Sequence, residues 1–353
     1  DDNQAEKTLK AARNLNDVSE NSIANQYSVN GYYHLTKKDY GEAIQNMLAA
    51  EKIYTKLNSR EDLVAVYERL GRIYCEQSQY DLAADYYSQS AAIAGEVGNN
   101  IRNMVNLTSL AELYLSAGQN DEGLDAAKNA IKVAEKLNKG DSNAPFVPDR
   151  TYARANIIYN NYLIAEHYRA KREDDAALEF YLQILPLNER LFSKISERTS
   201  IISKIARCYQ NLGQYNIAID YIEQAISVNE QQSDQKLKTV QLQEIYKQLG
   251  EVYRIMEDFS KSTELFKKSA KILHDLLEES DDKSEKIEEY KNALAKIYGD
   301  IGLNYESAGD FKHSEDFYGK GIKTVKDTRC IDTRMDLMES LAELYYENSR
   351  VDE

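Results

Sequence analysis

Leu70-Gly71-Arg72-Ile73-Tyr74-Cys75-Glu76-Gln77-Ser78-Gln79-Tyr80-Asp81-Leu82-Ala83-Ala84-Asp85-Tyr86-Tyr87 reads as two short helices joined by a turn. Gly71 stands three residues before Tyr74, Ala83 twelve after Gly71, and Tyr87 four after Ala83. Offsets of three and four fall on one face of a helix, so small residue and ring share a face in the first segment, and small and large residues in the second. Ser78-Gln79-Tyr80 is the turn signal between them. Small residues on those faces let two helices approach closely, and the large side chain fills the gap beside them.

The pattern recurs along the chain. Gly31, Ala111, Ala165, Ala206, Gly250, Gly302 and Ala342 likewise precede His34, Tyr114, Tyr168, Tyr209, Tyr253, Tyr305 and Tyr345 by three. Successive anchors are 40, 40, 54, 41, 44, 52 and 40 residues apart. The second small residue returns as Ala43, Gly123, Ala177, Ala218, Ser262 and Ser314, and the large one as Met47, Tyr181, Ile222, Phe266 and Tyr318. A registered pattern at such spacings marks a repeat architecture. With only three Pro and 15 Gly in 353 residues, little interrupts helix. The expected fold is all-α, a solenoid of seven helix pairs and a final helix, in which each unit packs only on its neighbours and the core grows along the axis.

This ladder resembles the tetratricopeptide repeat (TPR) family over about residues 21 to 347. Leu70, Gly71, Tyr74, Tyr80, Ala83 and Tyr87 form the clearest copy, and Ile301, Gly302, Tyr305, Phe311, Ser314 and Tyr318 another. Tyr27, Tyr67, Tyr246 or Tyr298 occupies the family's Trp slot, and the Pro that often closes a unit is missing. The spacings exceed the usual 34, so the chain is similar to the long-repeat members, kinesin light chains and bacterial signalling proteins among them. The resemblance implies a right-handed superhelix whose concave groove is lined by the first helix of each unit.

Two spacings break the rhythm. Residues 139–150 hold two of the three prolines, and residues 278–285 are highly charged. The expected organisation is one solenoid over 1–353: three repeats in 1–138, a Pro-containing loop or hinge at 139–150, and four repeats with the last helix in 151–347. The absence of an initiator Met and an ending one helix into the eighth unit suggest an excised piece of a longer protein. The last helix then either caps the array or is followed by more chain.

The net charge of −15 argues against nucleic acid, which calls for a basic stripe. Groove positions nonetheless collect Arg72, Arg169, Arg207, Lys247 and Arg254. Guanidinium forks suit a carboxylate, so this set is a candidate for holding an acidic or C-terminal peptide group. Glu68, Glu112, Glu166 and Glu251 share that surface, and the same residues equally read as ion pairs between neighbouring helices. A second candidate is the amide and ring cluster of Asn156, Asn160 and Asn161 beside Tyr159 and Tyr162, because an amide both donates to and accepts from an extended peptide. Most of the 27 Tyr fall on repeat anchors and are expected to be packing residues.

No catalytic constellation emerges. The four His are scattered, Cys75, Cys208 and Cys330 lie in different units, and no metal-ligand, phosphate-loop, dinucleotide or nucleophile-elbow motif occurs. No stretch approaches the roughly 18 apolar residues of a membrane span. The expected function is non-catalytic, with no cofactor and no metal: an interaction module for a protein or peptide, an intramolecular segment included. The favoured setting is the sensor or regulatory region of a larger bacterial signalling protein. A stand-alone adaptor and a phosphatase-like regulator of a signalling partner are the alternatives. The compartment stays open between cytoplasm and, if a leader preceded Asp1, periplasm.

Overall fold

A computed structural model describes residues 2–139, 148–188, 195–280 and 285–351, and within them every element is a helix. The helices are α1 (Asp2–Thr36), α2 (Tyr40–Lys56), α3 (Arg60–Glu76), α4 (Tyr80–Glu96), α5 (Asn100–Ser116), α6 (Asn120–Asn138), α7 (Pro148–Ala170) and α8 (Asp174–Asn188). There follow α9 (Ile195–Asn211), α10 (Tyr215–Glu230), α11 (Gln235–Ile255), α12 (Phe259–Glu278), α13 (Glu285–Ser307), α14 (Phe311–Thr324) and α15 (Ile331–Val351). The chain divides into two compact units, residues 1–171 and 172–353. Most of the expected 139–150 loop lies outside the described residues; α6 packs on α7 within the first unit.

Helix pairing follows the small-residue pattern. In the first unit α1 packs on α2, α3 on α4 and α5 on α6; in the second, α9 packs on α10, α11 on α12 and α13 on α14, with α15 against α13 and α14. The first helices also touch one another, α1 with α3, α3 with α5, α5 with α7, α9 with α11 and α13 with α15, and so form one wall in each unit.

The pairs close on the anchors. A Cβ on Gly71 would lie 2.9 Å from the Tyr87 ring, one on Gly250 2.9 Å from Phe266, and one on Gly302 2.9 Å from Tyr318. Each anchor glycine therefore seats the large residue of its partner helix, and a side chain there would collide with it. The anchor tyrosines stack on a further aromatic: Tyr74 on Tyr86, Tyr209 on Tyr221 and Tyr305 on Phe317, with centroids 5.5, 5.3 and 5.6 Å apart.

The turns repeat one geometry. Nine of the helices end two residues before a residue of positive φ, which is Gly at 98, 118, 213 and 309 but Lys38, Asn58, Ser78, Arg172 and Glu257 elsewhere. The next helix then begins behind a polar residue. Asp258 accepts from the Lys261 N–H at 3.1 Å and Asn99 from the Arg102 N–H at 3.2 Å.

Candidate functional site

The first-helix walls are held together by polar side chains that reach from one helix to the next. In the first unit Arg102 Nη1 of α5 donates to Glu68 Oε2 of α3 at 2.5 Å. Tyr159 Oη of α7 donates to Glu112 of α5. In the second unit Arg207 of α9 pairs with Glu251 of α11, Arg254 Nη1 of α11 with Asp300 Oδ1 of α13 at 2.5 Å, and Thr333 of α15 donates to Asn292 of α13 at 2.7 Å. At least one such bond joins each of these steps.

The basic residues singled out from the sequence are thus paired. Arg72 Nε reaches Glu76 Oε1 one turn along at 3.0 Å, Arg169 Nη2 reaches Glu166 Oε2 at 2.7 Å, and Lys247 Nζ stands 4.0 Å from the Glu251 that also takes Arg207. Arg254 also lies over the Phe266 ring, 5.7 Å from its centroid. Burial holds the Asp300 carboxyl above the usual carboxylate range, although Arg254 pulls in the opposite direction. Of the two readings open from the sequence, ion pairing describes these contacts.

The amide cluster of α7 is internal. Asn160 is 0% exposed, and its Nδ2 donates to Thr108 Oγ1 at 2.8 Å and to Asn156 O and Oδ1 at 3.0 Å. Asn156 Nδ2 donates to the same Thr108 oxygen at 2.8 Å, while the Thr108 hydroxyl donates to Met104 O at 2.9 Å. One hydroxyl thereby joins α7 to α5 with its full hydrogen-bonding capacity. Asn161, with 1% exposure, donates to Ile157 O at 3.0 Å. Enclosure puts Asn160 inside the wall rather than on the groove surface. Tyr159 stays 42% exposed, its hydroxyl pushed up to about 12 by burial and by the bond to Glu112. Tyr162 is half-buried beside it.

Two concavities open on the walls. One of about 400 Å³ lies among α1, α3 and α5 and is lined by Tyr32, Glu68, Arg69, Arg72 and Arg102 together with apolar neighbours. The other, about 390 Å³, lies among α11, α13, α14 and α15, with Lys247, Glu251, Lys296, Asp300, Leu303 and Asp336 on its surface. Arg69 and Arg102 escaped the sequence reading. Arg69 stands one turn before Arg72 on α3, and the packing of α5 on α3 brings Arg102 to both. Among the described residues no group of three or more His, Cys, Asp or Glu could hold a metal ion, and no helix is long and apolar enough to cross a membrane.

With this geometry in place, comparison with known proteins is informative. Residues 200–232, spanning α9 and α10, match the tetratricopeptide repeat family. The chain shares the helix-pair fold of tetratricopeptide-repeat proteins. Kinesin light chain-related protein 2 of Arabidopsis thaliana is 24% identical over 193 residues, which make up 54% of this chain and 28% of that protein. A signal-transduction ATPase with numerous domains and a TPR sensor, from Pyrococcus horikoshii, superposes with a TM-score of 0.59 at 14% identity, over 89% of this chain and 44% of its own. BtubC of P. vanneervenii superposes with a TM-score of 0.50 at 17% identity, over 75% of this chain and 90% of its own. The chain thus spans less than half of the Arabidopsis protein and of the ATPase. Tetratricopeptide repeats generally mediate protein interactions.

Proposed function

We propose that the first-helix walls receive a segment of a partner protein, and that the chain is the sensing or regulatory part of a larger signalling protein. The observation that carries the first half is the wall itself. The first helices of each unit are linked by inter-helix rungs and indented by a concavity of a size for side chains. The candidates on its surface are Arg72, Glu112, Tyr162, Glu166 and Arg169 in the first unit and Arg207, Lys247 and Arg254 in the second. Because the basic members are already paired, they serve as a mixed-charge surface that gives register and selectivity rather than as free cations. The second half is supported by the Pyrococcus horikoshii ATPase, whose similar repeat array is its sensor.

Photo-crosslinking tests the reading. A crosslinking amino acid is placed at Ser109 or Leu303, which line the two concavities, and at Gln89 on the exposed side of α4. Defined adducts from the two wall positions and none from Gln89 are expected in cells of the source organism. Equal labelling from Gln89 would overturn the assignment of the wall. A partner with no bearing on any signalling output would remove the sensor reading in favour of a stand-alone adaptor.

A further inference from the structure

Resting on the wall reading, we infer that the concavity among α1, α3 and α5 is a binding site for one carboxylate of a partner segment, held by Arg69 and Arg102. Three guanidiniums, of Arg69, Arg72 and Arg102, converge on it. Two carboxylates answer them: Glu68 takes Arg102 at 2.5 Å, and Glu76 takes Arg72 at 3.0 Å while also accepting from Tyr40 Oη at 3.0 Å. Among the described residues one positive charge is left without a salt bridge of its own.

That charge belongs to Arg69. Its Nη1 donates to the neutral acceptors Ser28 Oγ at 2.6 Å and Ser28 O at 3.3 Å, and its guanidinium lies 5.0 Å from the Tyr32 ring centroid. Its Nε and Nη2 have no protein acceptor among the described residues. Burial, then the like charge of Arg102, pull Arg69 below the usual guanidinium range, against the opposing pull of Glu68. An arriving carboxylate would bond the open edge of Arg69 and the unoccupied Nη2 of Arg102, separating two like charges with a negative one. A single unmatched charge selects a monoanion over a phosphate dianion. Around the guanidiniums, Tyr32, Leu35 and Val105 give an apolar lining for the stem that carries the group. A Glu or Asp side chain and a C-terminal carboxylate share this chemistry.

The test uses the full chain, immobilised, and degenerate decapeptide mixtures with one fixed position. The fixed residue is Glu, Gln or phosphoserine in C-terminally amidated mixtures, and Gln in a mixture with a free C-terminus. The expected result is retention of the Glu or the free-terminus mixture roughly tenfold or more above the amidated Gln mixture, and which of the two is retained identifies the source. Arg69→Gln and Arg102→Gln should each bring retention close to parity, whereas Arg69→Lys keeps part of it and Lys271→Gln, on the exposed side of α12 in the other unit, leaves it unchanged. Parity between Glu and Gln on the native chain overturns the inference, as does tighter retention of phosphoserine. Loss on Lys271→Gln equal to that on Arg69→Gln overturns it too. Should wall crosslinks persist while Glu and Gln are retained alike, the carboxylate site fails and the wall reading stands; should the crosslinks also vanish, both fail.

Discussion

Gly250→Ala should destabilise the protein although alanine is the better helix former. An ideal Cβ at 250 would lie 2.9 Å from both Cδ1 and Cε1 of Phe266 and 3.2 Å from Cζ. Ordinary carbon contacts start near 3.5 Å, so the ring would have to withdraw by about 0.6 Å. Phe266 is 0% exposed and sits in a cluster with Leu273, Tyr290, Leu294 and Ile297, which leaves it little room. Overpacking of this kind costs about 1–3 kcal/mol, and the propensity gain of Ala over Gly offsets up to about 1 kcal/mol of it. The expected net loss is thus up to about 2 kcal/mol. Gly319→Ala is the control. It lies inside α14, nothing stands within 4 Å of its Cβ position, and it should gain about 0.5–1 kcal/mol. Urea unfolding followed by circular dichroism measures both. Adding Phe266→Leu to Gly250→Ala should recover part of the loss, a coupling expected of residues in contact. If Gly250→Ala instead raises the midpoint as Gly319→Ala does, the close approach of glycine and ring does not set the stability of this pair.

Three further outcomes follow from the same contacts. Glu257 holds φ +62 in its turn, so Glu257→Gly should stabilise by about 1 kcal/mol, read from the same urea curves. Arg254→Met would leave the Asp300 carboxylate largely enclosed without its partner. Since the pair keeps 25% and 22% side-chain exposure, the expected loss is about 1–3 kcal/mol rather than that of a fully buried pair, and no loss would show that the rung carries no stability. Tyr67 and Tyr159 are both pushed up to about 12, Tyr67 by burial and then Glu51, Tyr159 by burial and then Glu112. Above pH 10 the unfolded chain has lost protons that the folded one keeps, so stability should fall as pH climbs from about 10 towards 12. Tyr67→Phe should flatten that fall, measured by unfolding across the alkaline range.

The helix pairs were legible because Gly71, Gly250 and Gly302 have no freedom: only a residue without a side chain fits under Tyr87, Phe266 and Tyr318, and such constraints leave a fixed spacing. The turns could be read where Gly or Asp marks them, Glu257-Asp258-Phe259 included, less so at Asn58 and Arg172, where the left-handed residue is neither. The aromatic stacks left a trace in the sequence at twelve residues beyond the anchor tyrosine, as Tyr86, Tyr221 and Phe317. The site was harder. Whether Asn160 faces a groove or a neighbouring helix depends on the rotation of α7 against α5, which no spacing within α7 encodes. The charge left over on Arg69 depends on which partners Arg72 and Arg102 find, and those partners lie on other turns and other helices.

The rungs of the wall also bear on how the chain reaches this structure. Glu68 to Arg102 spans 34 residues, Arg207 to Glu251 spans 44, Arg254 to Asp300 spans 46 and Thr108 to Asn160 spans 52, all short stretches of a 353-residue chain. Loop closure over such distances is entropically light, so contact order is low and any adjacent helix pairs can nucleate. A chain emerging from the ribosome can secure each rung as soon as the next first helix has been made, without waiting for its far end. The same locality works in reverse: a defect at one step unfastens the rungs on either side of it and leaves distant pairs closed.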